Sequence, residues 1–106
     1  METIMIARQP THPGEILKED VFPALKLNAS RAAEMLDISR QYMGDILNGK
    51  KPMTPLMCLK IGKLVGNEPE MWMNMQAKYN LWEVTQDKAS QKAVAHVPNY
   101  RELETA

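Results

Sequence analysis

At 106 residues the chain is long enough for one compact domain but leaves little apolar surface to spare, so a second copy would add useful burial. With 44% apolar and 25% charged residues, no apolar run near the roughly 18 residues that span a bilayer and no apolar signal core after a charged start, the chain reads as cytoplasmic, without a membrane partner. The formal net charge of zero hides an uneven distribution: residues 1–38 and 68–106 each carry four basic and six acidic side chains, whereas residues 39–67 carry Arg40, Lys50, Lys51, Lys60 and Lys63 against Asp45 alone. A local excess of positive charge, more than the average, is what meets phosphates.

Residues 1–11 lack a consistent hydrophobic period and are expected to form an arm that only a partner would order. His12-Pro13-Gly14-Glu15 reads as a helix start, with Pro13 in the first turn, Glu15 favourable at the positive end and His12 as a local hydrogen-bonding cap. That first helix should be disturbed at Pro23. Asn28 suits the cap of a second helix running to about Leu36, and Ser39 the cap of a third running to about Leu47, where Asn48-Gly49 ends it. Thr54-Pro55 opens a fourth helix that ends near Gly66. Pro69-Glu70 opens a fifth, with Trp72, Met75, Tyr79 and Trp82 at helical spacing. Residues 83–91 are polar, Ala93–Val97 alternates as a short strand would, and residues 100–106 should fray. That strand could pair with its copy across a two-fold axis. The expectation is therefore an all-α bundle of five short helices over residues 12–82, followed by a tail over residues 83–106 that carries a dimerisation strand.

The second and third helices carry the functional signal. Ala32, Ala33, Leu36, Ile38, Met43, Ile46 and Leu47 are spaced to bury one side of each, and the turn between them is tight. The other side of the third helix is polar, and its first turn holds Arg40, Gln41 and Tyr42 behind the Ser39 cap. That is the pattern of a helix-turn-helix whose second helix enters the DNA major groove N-terminus first, where Arg and Gln can read guanine and adenine edges. Ser39 is a cap first, and its helix amides also suit a phosphate. Tyr42 either meets DNA or packs against a neighbour. Asp45 either accepts from a cytosine amino group or orients Arg40 or Gln41, the second being favoured. Lys50 and Lys51 suit backbone phosphates, as do Asn28 and Arg31 at the start of the helix that crosses the backbone.

Nothing points to chemistry. His12 and His96 are far apart and lack a nucleophile partner, and Cys58 reads as a small core residue. Met71, Met73 and Met75 do not share a helical face. No catalytic centre, cofactor or metal site is expected.

His12-Pro13-Gly14-Glu15-Ile16-Leu17, Ser39-Arg40-Gln41, Ile46-Leu47-Asn48-Gly49-Lys50, Glu70-Met71-Trp72, Gln76, Tyr79 and Leu81-Trp82 fall in the order and spacing of a known family. Over residues 12–82 the chain resembles the HigA/VapI-type antitoxins, part of the XRE-like (phage-repressor-like) helix-turn-helix group. The resemblance implies a lambda-repressor-like bundle and a homodimer that represses its own operon by binding a palindromic operator. It also implies neutralisation of a small, basic RelE-like mRNA interferase encoded alongside. The arm Met1–Gln9 or the acidic first helix (Glu15, Glu19, Asp20) would then be the toxin-facing surface, electrostatic complementarity favouring the acidic helix. Five positions depart from the family pattern: Asp37 stands where glycine usually turns the chain, Gly44 and Asp45 replace residues that are often Ser and a basic or amide side chain, Pro23 lies one position from its usual place, and Glu68 replaces a Ser cap. A stand-alone repressor without a toxin is the nearest alternative, followed by a protein-interaction module that has lost DNA binding.

Overall fold

Most helix starts in this chain follow one recipe, a side-chain acceptor placed just ahead of the first turn. In the computed structural model, which describes residues 8–105, His12 Nδ1 accepts from the Gly14 amide at 2.9 Å and Pro13 opens α1 (Pro13–Ile16). Residues 1–7 of the expected arm lie outside the described residues. The chain runs on through a π-helical turn, Leu17–Val21, into α2 (Phe22–Leu25). The wide turn lies directly ahead of Pro23, whose ring crowds the carbonyl four residues back and which has no amide hydrogen to donate. The disturbance expected at Pro23 thus takes the form of a widened turn and leaves the helix unbroken.

Asn28 Oδ1 accepts from the Arg31 amide at 2.8 Å to start α3 (Ala29–Leu36). Ser39 Oγ accepts from the Tyr42 amide at 3.0 Å to start α4 (Arg40–Leu47), and Thr54 Oγ1 from the Met57 amide at 3.2 Å to start α5 (Pro55–Val65). α6 (Pro69–Gln86) follows Glu68, which makes no capping bond through its side chain. Leu17, Ala32, Met43, Ile46, Ile61 and Trp72 are wholly buried, and with Phe22, Leu36, Met53, Met57 and Cys58 they form one core enclosed by α1 to α6. Of the seven methionines among the described residues, Met43, Met53 and Met57 fill this core, Met73 and Met75 pack partly buried against it, and Met35 and Met71 are exposed.

The C-terminal region departs from expectation. α6 continues through the polar stretch to Gln86, and Asp87 then caps α7 (Lys88–Ala95) by accepting from the Ser90 amide at 2.9 Å. Ala93–Ala95 therefore close a helix, with His96 as its C-cap and Val97 beyond, and the expected strand at Ala93–Val97 does not form. Ala, Lys and Gln are strong helix formers, and with a good Asp cap they outweigh two valines in a weakly alternating stretch. The expected fraying over residues 100–106 is likewise replaced by α8 (Tyr100–Thr105), begun by Asn99 Oδ1 accepting from the Arg101 amide at 3.0 Å. Among the described residues there is no strand, and no helix is long and apolar enough to cross a membrane. The all-α core stands as expected, except that its first helix comes as two segments, α1 and α2, joined by the π-helical turn, and that two further helices follow α6.

Candidate nucleic-acid interface

α3 ends at Asp37, whose φ of 56° places it in the left-handed region, and the Asp37 and Ile38 amides donate to the Glu34 and Ala33 carbonyls. This tight stop turns the chain directly into α4. Ala32 and Ala33 are buried where the two helices meet, and Met43, Ile46 and Leu47 turn inward. Arg40 and Gln41 are left exposed in the first turn of α4, with Gly44 and Asp45 partly exposed one turn on. Together with Asn48 and Lys50 these four line one shallow concavity. Within it Gln41 Nε2 donates to Asp45 Oδ1 at 3.3 Å. An ionised carboxylate only accepts, so this contact turns the amide nitrogen toward Asp45 and leaves Gln41 Oε1 free.

The far end of α4 is braced from beneath. Gly49 has φ 71°, and the Lys50 and Lys51 amides both donate to the Asp45 carbonyl, at 2.8 and 3.2 Å. His12 packs under this loop: a Cβ on Gly49 would lie 3.6 Å from the His12 ring, which also bonds to the Lys51 backbone. The ring meets Tyr79 edge-on, with centroids 4.9 Å apart. Burial pushes the His12 pKa below its ordinary 6.5, against the raising influence of Glu83, the Lys51 backbone and Glu15. Lys18 Nζ donates to Asn48 Oδ1 at 2.9 Å, and the Lys51 ammonium lies 5.7 Å from the centre of the Tyr42 ring. At Gly14 a Cβ would overlap the Ile46 carbonyl oxygen, so α1 lies directly on the backbone of α4.

The residues singled out from the sequence fall into two groups. Arg40, Gln41, Asp45 and Lys50 gather on the α4 concavity, with Tyr42 and Lys51 paired beside it. Asn28, Arg31 and Ser39 lie at helix starts, where Asn28 and Ser39 cap and Arg31 pairs with Glu34 at 3.5 Å. The positive segment as a whole is less concentrated than its charge count suggests. Lys60 Nζ donates to the Leu36 carbonyl at 2.9 Å, at the negative end of α3, and with Lys63 it lines a separate groove containing Met35 and Asp37. Two positions on the concavity, Asn48 and Gly44, are not among the DNA contacts expected from the sequence, where they figure only as a helix stop and as a departure from the family pattern. Their spacing from Gln41 along one helical face was the available signal. The supports at His12 and Gly14 had no local signal, because their partners lie far along the chain. Gln76 is also buried, accepting from the Met53 amide at 2.7 Å and donating to Asn80 at 2.8 Å.

Cys58 is buried and its thiol pKa is pushed up by desolvation. Among the described residues no group of three or more His, Cys, Asp or Glu is placed to hold a metal ion.

No family model matches the chain. Relatives do: an HTH-type transcriptional regulator of Haemophilus influenzae is 36% identical over 93 residues, covering 88% of this chain and 87% of that one. Virulence-associated protein I of Dichelobacter nodosus is 33% identical over 79 residues, 74% of this chain and 73% of that one. Among solved structures, an addiction-module antidote protein of the HigA family from Coxiella burnetii superposes with a TM-score of 0.77 at 33% identity, over 88% of this chain and all of that one. The antitoxin HigA of Pseudomonas aeruginosa, solved with the higBA promoter, superposes with a TM-score of 0.73 at 26% identity, over 86% of this chain and 97% of that one. These relatives are regulators and antitoxins, not enzymes. With a capped helix-turn-helix whose second helix presents Arg40 and Gln41, and with relatives of this kind matched over most of its length, the chain belongs to the HigA/VapI-type antitoxins of the XRE-like helix-turn-helix family.

Proposed function

We propose that this antitoxin acts in the cytoplasm as a homodimer that binds a palindromic operator ahead of its own operon and neutralises a small, basic, RelE-like toxin encoded beside it. The observation that carries the DNA half is the first turn of α4. Arg40 and Gln41 are exposed there behind the Ser39 cap, on a helix whose other face is locked into the core. In the major groove Arg40 suits the O6 and N7 acceptors of guanine, and Gln41 suits adenine. Asp45 positions Gln41: with one amide hydrogen engaged, the other can donate to adenine N7 while Oε1 accepts from the adenine amino group. Lys50, Lys51, Arg31, Asn28 and the Ser39-capped helix start meet phosphates and set register without choosing sequence. Tyr42, stacked beneath Lys51, steadies that lysine near the backbone.

Two copies place their α4 helices about 34–36 Å apart on one face of the duplex, and repression follows from occupying the promoter. With no strand among the described residues, the surface that a second copy would cover is the apolar one of the C-terminal segment, where Val94, Val97, Tyr100 and Leu103 are exposed. Toxin neutralisation draws on the family and on charge: Glu15, Glu19 and Asp20 are exposed on one helical run and complement a basic RNA-cutting protein. Alanine at all three positions is expected to weaken toxin capture, and undiminished capture would remove that surface from consideration.

The experiment that tests the DNA half compares the wild type with an Arg40→Ala/Gln41→Ala variant on the chain's own upstream DNA at two salt concentrations. Specific binding that the variant loses is the expected result. Absent binding, or equal binding by both proteins, would assign the helix-turn-helix another task.

A further inference from the structure

Glycine in the middle of a helix calls for a reason, and at Gly44 the fold supplies none. Gly44 lies in the interior of the eight-residue helix α4, and it is not among the residues with positive φ. A Cβ at Gly44 would meet nothing within 4 Å. The contrast within the same chain is direct, since a Cβ at Gly14 would overlap the Ile46 carbonyl and one at Gly62 would lie 2.8 Å from the Asn67 carbonyl. Those two glycines are required by packing. Gly44 is not, although glycine is among the poorest residues for a helix interior and α4 has only about two turns over which to absorb the penalty.

What the glycine does provide lies outside the fold. It leaves bare backbone in the concavity bordered by Arg40, Gln41, Asp45, Asn48 and Lys50. The Gln41–Asp45 hydrogen bond runs along one side of this bare strip, so neither side chain is free to fold across it. A helix with its side chains is about 10–12 Å across and the major groove is about 12 Å wide, which leaves almost no clearance. A side chain on the face turned to the groove floor would hold the helix axis away from the bases.

We propose that Gly44 is a specificity-determining position, the point at which a base edge on the major-groove floor packs against the bare backbone of α4. The inference rests on the DNA-binding reading above and deepens it. By seating deeper at Gly44, the helix lets the short Gln41 side chain and the long Arg40 side chain reach base edges together. The position contributes close approach without charge or hydrogen bonding, so its effect is confined to sequence-specific binding.

The test pairs thermal unfolding with DNA binding for the wild type, Gly44→Ala and Gly44→Leu, each on its own upstream duplex and on a scrambled duplex across a salt series. Gly44→Ala is expected to raise Tm by roughly 4 °C, because a better helix former enters open space. The same variant is expected to weaken binding to the upstream duplex about tenfold. Binding to the scrambled duplex and the salt slope are expected to stay unchanged, because no phosphate contact is altered. Gly44→Leu is expected to abolish the preference for the upstream duplex while remaining folded. A Gly44→Ala variant that is stabilised and binds as tightly as the wild type overturns the inference and leaves the repressor reading standing. A fall in Tm for Gly44→Ala also overturns it, since the glycine would then be required by the fold. If the wild type itself does not prefer its upstream duplex, the repressor reading fails and this inference with it.

Discussion

At Gly14 a single hydrogen, where any other residue has a carbon, decides whether α1 can lie against the backbone of α4. The clash that alanine would make there is with a main-chain carbonyl, which has no rotamer to retreat into. Gly14→Ala is therefore expected to cost about 3 kcal/mol or more, read as a lowered urea midpoint with an unchanged slope. His12, two residues earlier, gives the fold a pH dependence of definite sign. Its pKa in the folded protein lies below the 6.5 of the unfolded chain, so the unfolded chain takes up the proton first as pH falls. The stability tied to neutral His12 is complete above about pH 6.5 and is lost as pH falls through the interval down to the folded value. Urea midpoints measured across that interval should decline for the wild type. They should decline less for His12→Gln, which has no proton to take up.

Among the elements, the helix starts were the most legible from sequence and the helix supports the least. Asn28, Ser39 and Thr54 each accept from an amide three residues on, a relation contained within four consecutive residues and so visible in the chain itself. The contact of Gly14 with Ile46, the bond of His12 to the Lys51 backbone and the bond of Lys60 to the Leu36 carbonyl join distant segments. Lys60 illustrates the cost of that blindness. Charge counting groups it with Lys50 and Lys51, yet its ammonium neutralises the negative end of α3. The tail differs from expectation for another reason: a short stretch holding both Ala and Val satisfies strand and helix patterns alike, and the Asp87 cap decides between them. The stop of α3 offers a test at this scale. Asp37 holds a left-handed conformation, is exposed and makes its turn through backbone amides, so glycine fits the same geometry without strain from a side chain. Asp37→Gly is expected to stabilise the protein by about 0.5–1 kcal/mol in chemical denaturation.

The molecule as a whole is drawn out. Its radius of gyration of 17.8 Å exceeds the roughly 13 Å of a compact chain this long, and its extents are 59 × 24 × 21 Å. α7 has no buried residue, and the apolar side chains of Val94, Val97, Tyr100 and Leu103 face outward. Removing residues 88–106 should therefore leave cooperative unfolding in place, with a midpoint within a few degrees of the full chain when both are monomeric. On the homodimer proposal, light scattering should show the full chain self-associating at concentrations where the shortened one does not.

The seating of α1 on α4 through Gly14 and the Ile46 carbonyl has a consequence for any duplex the protein grips. Main chain lies against main chain there, and the His12 ring packs under the loop end, so α4 is braced at two points against its own domain. On the homodimer proposal, two helices seated in this way cannot shift within their own domains to meet half-sites at an awkward separation. The elastic burden passes to the DNA, and its size depends on how readily the intervening base steps bend or twist. Operator preference would then extend to central base pairs that no side chain reaches, recorded in the stiffness of the helix and not in its hydrogen-bonding edges.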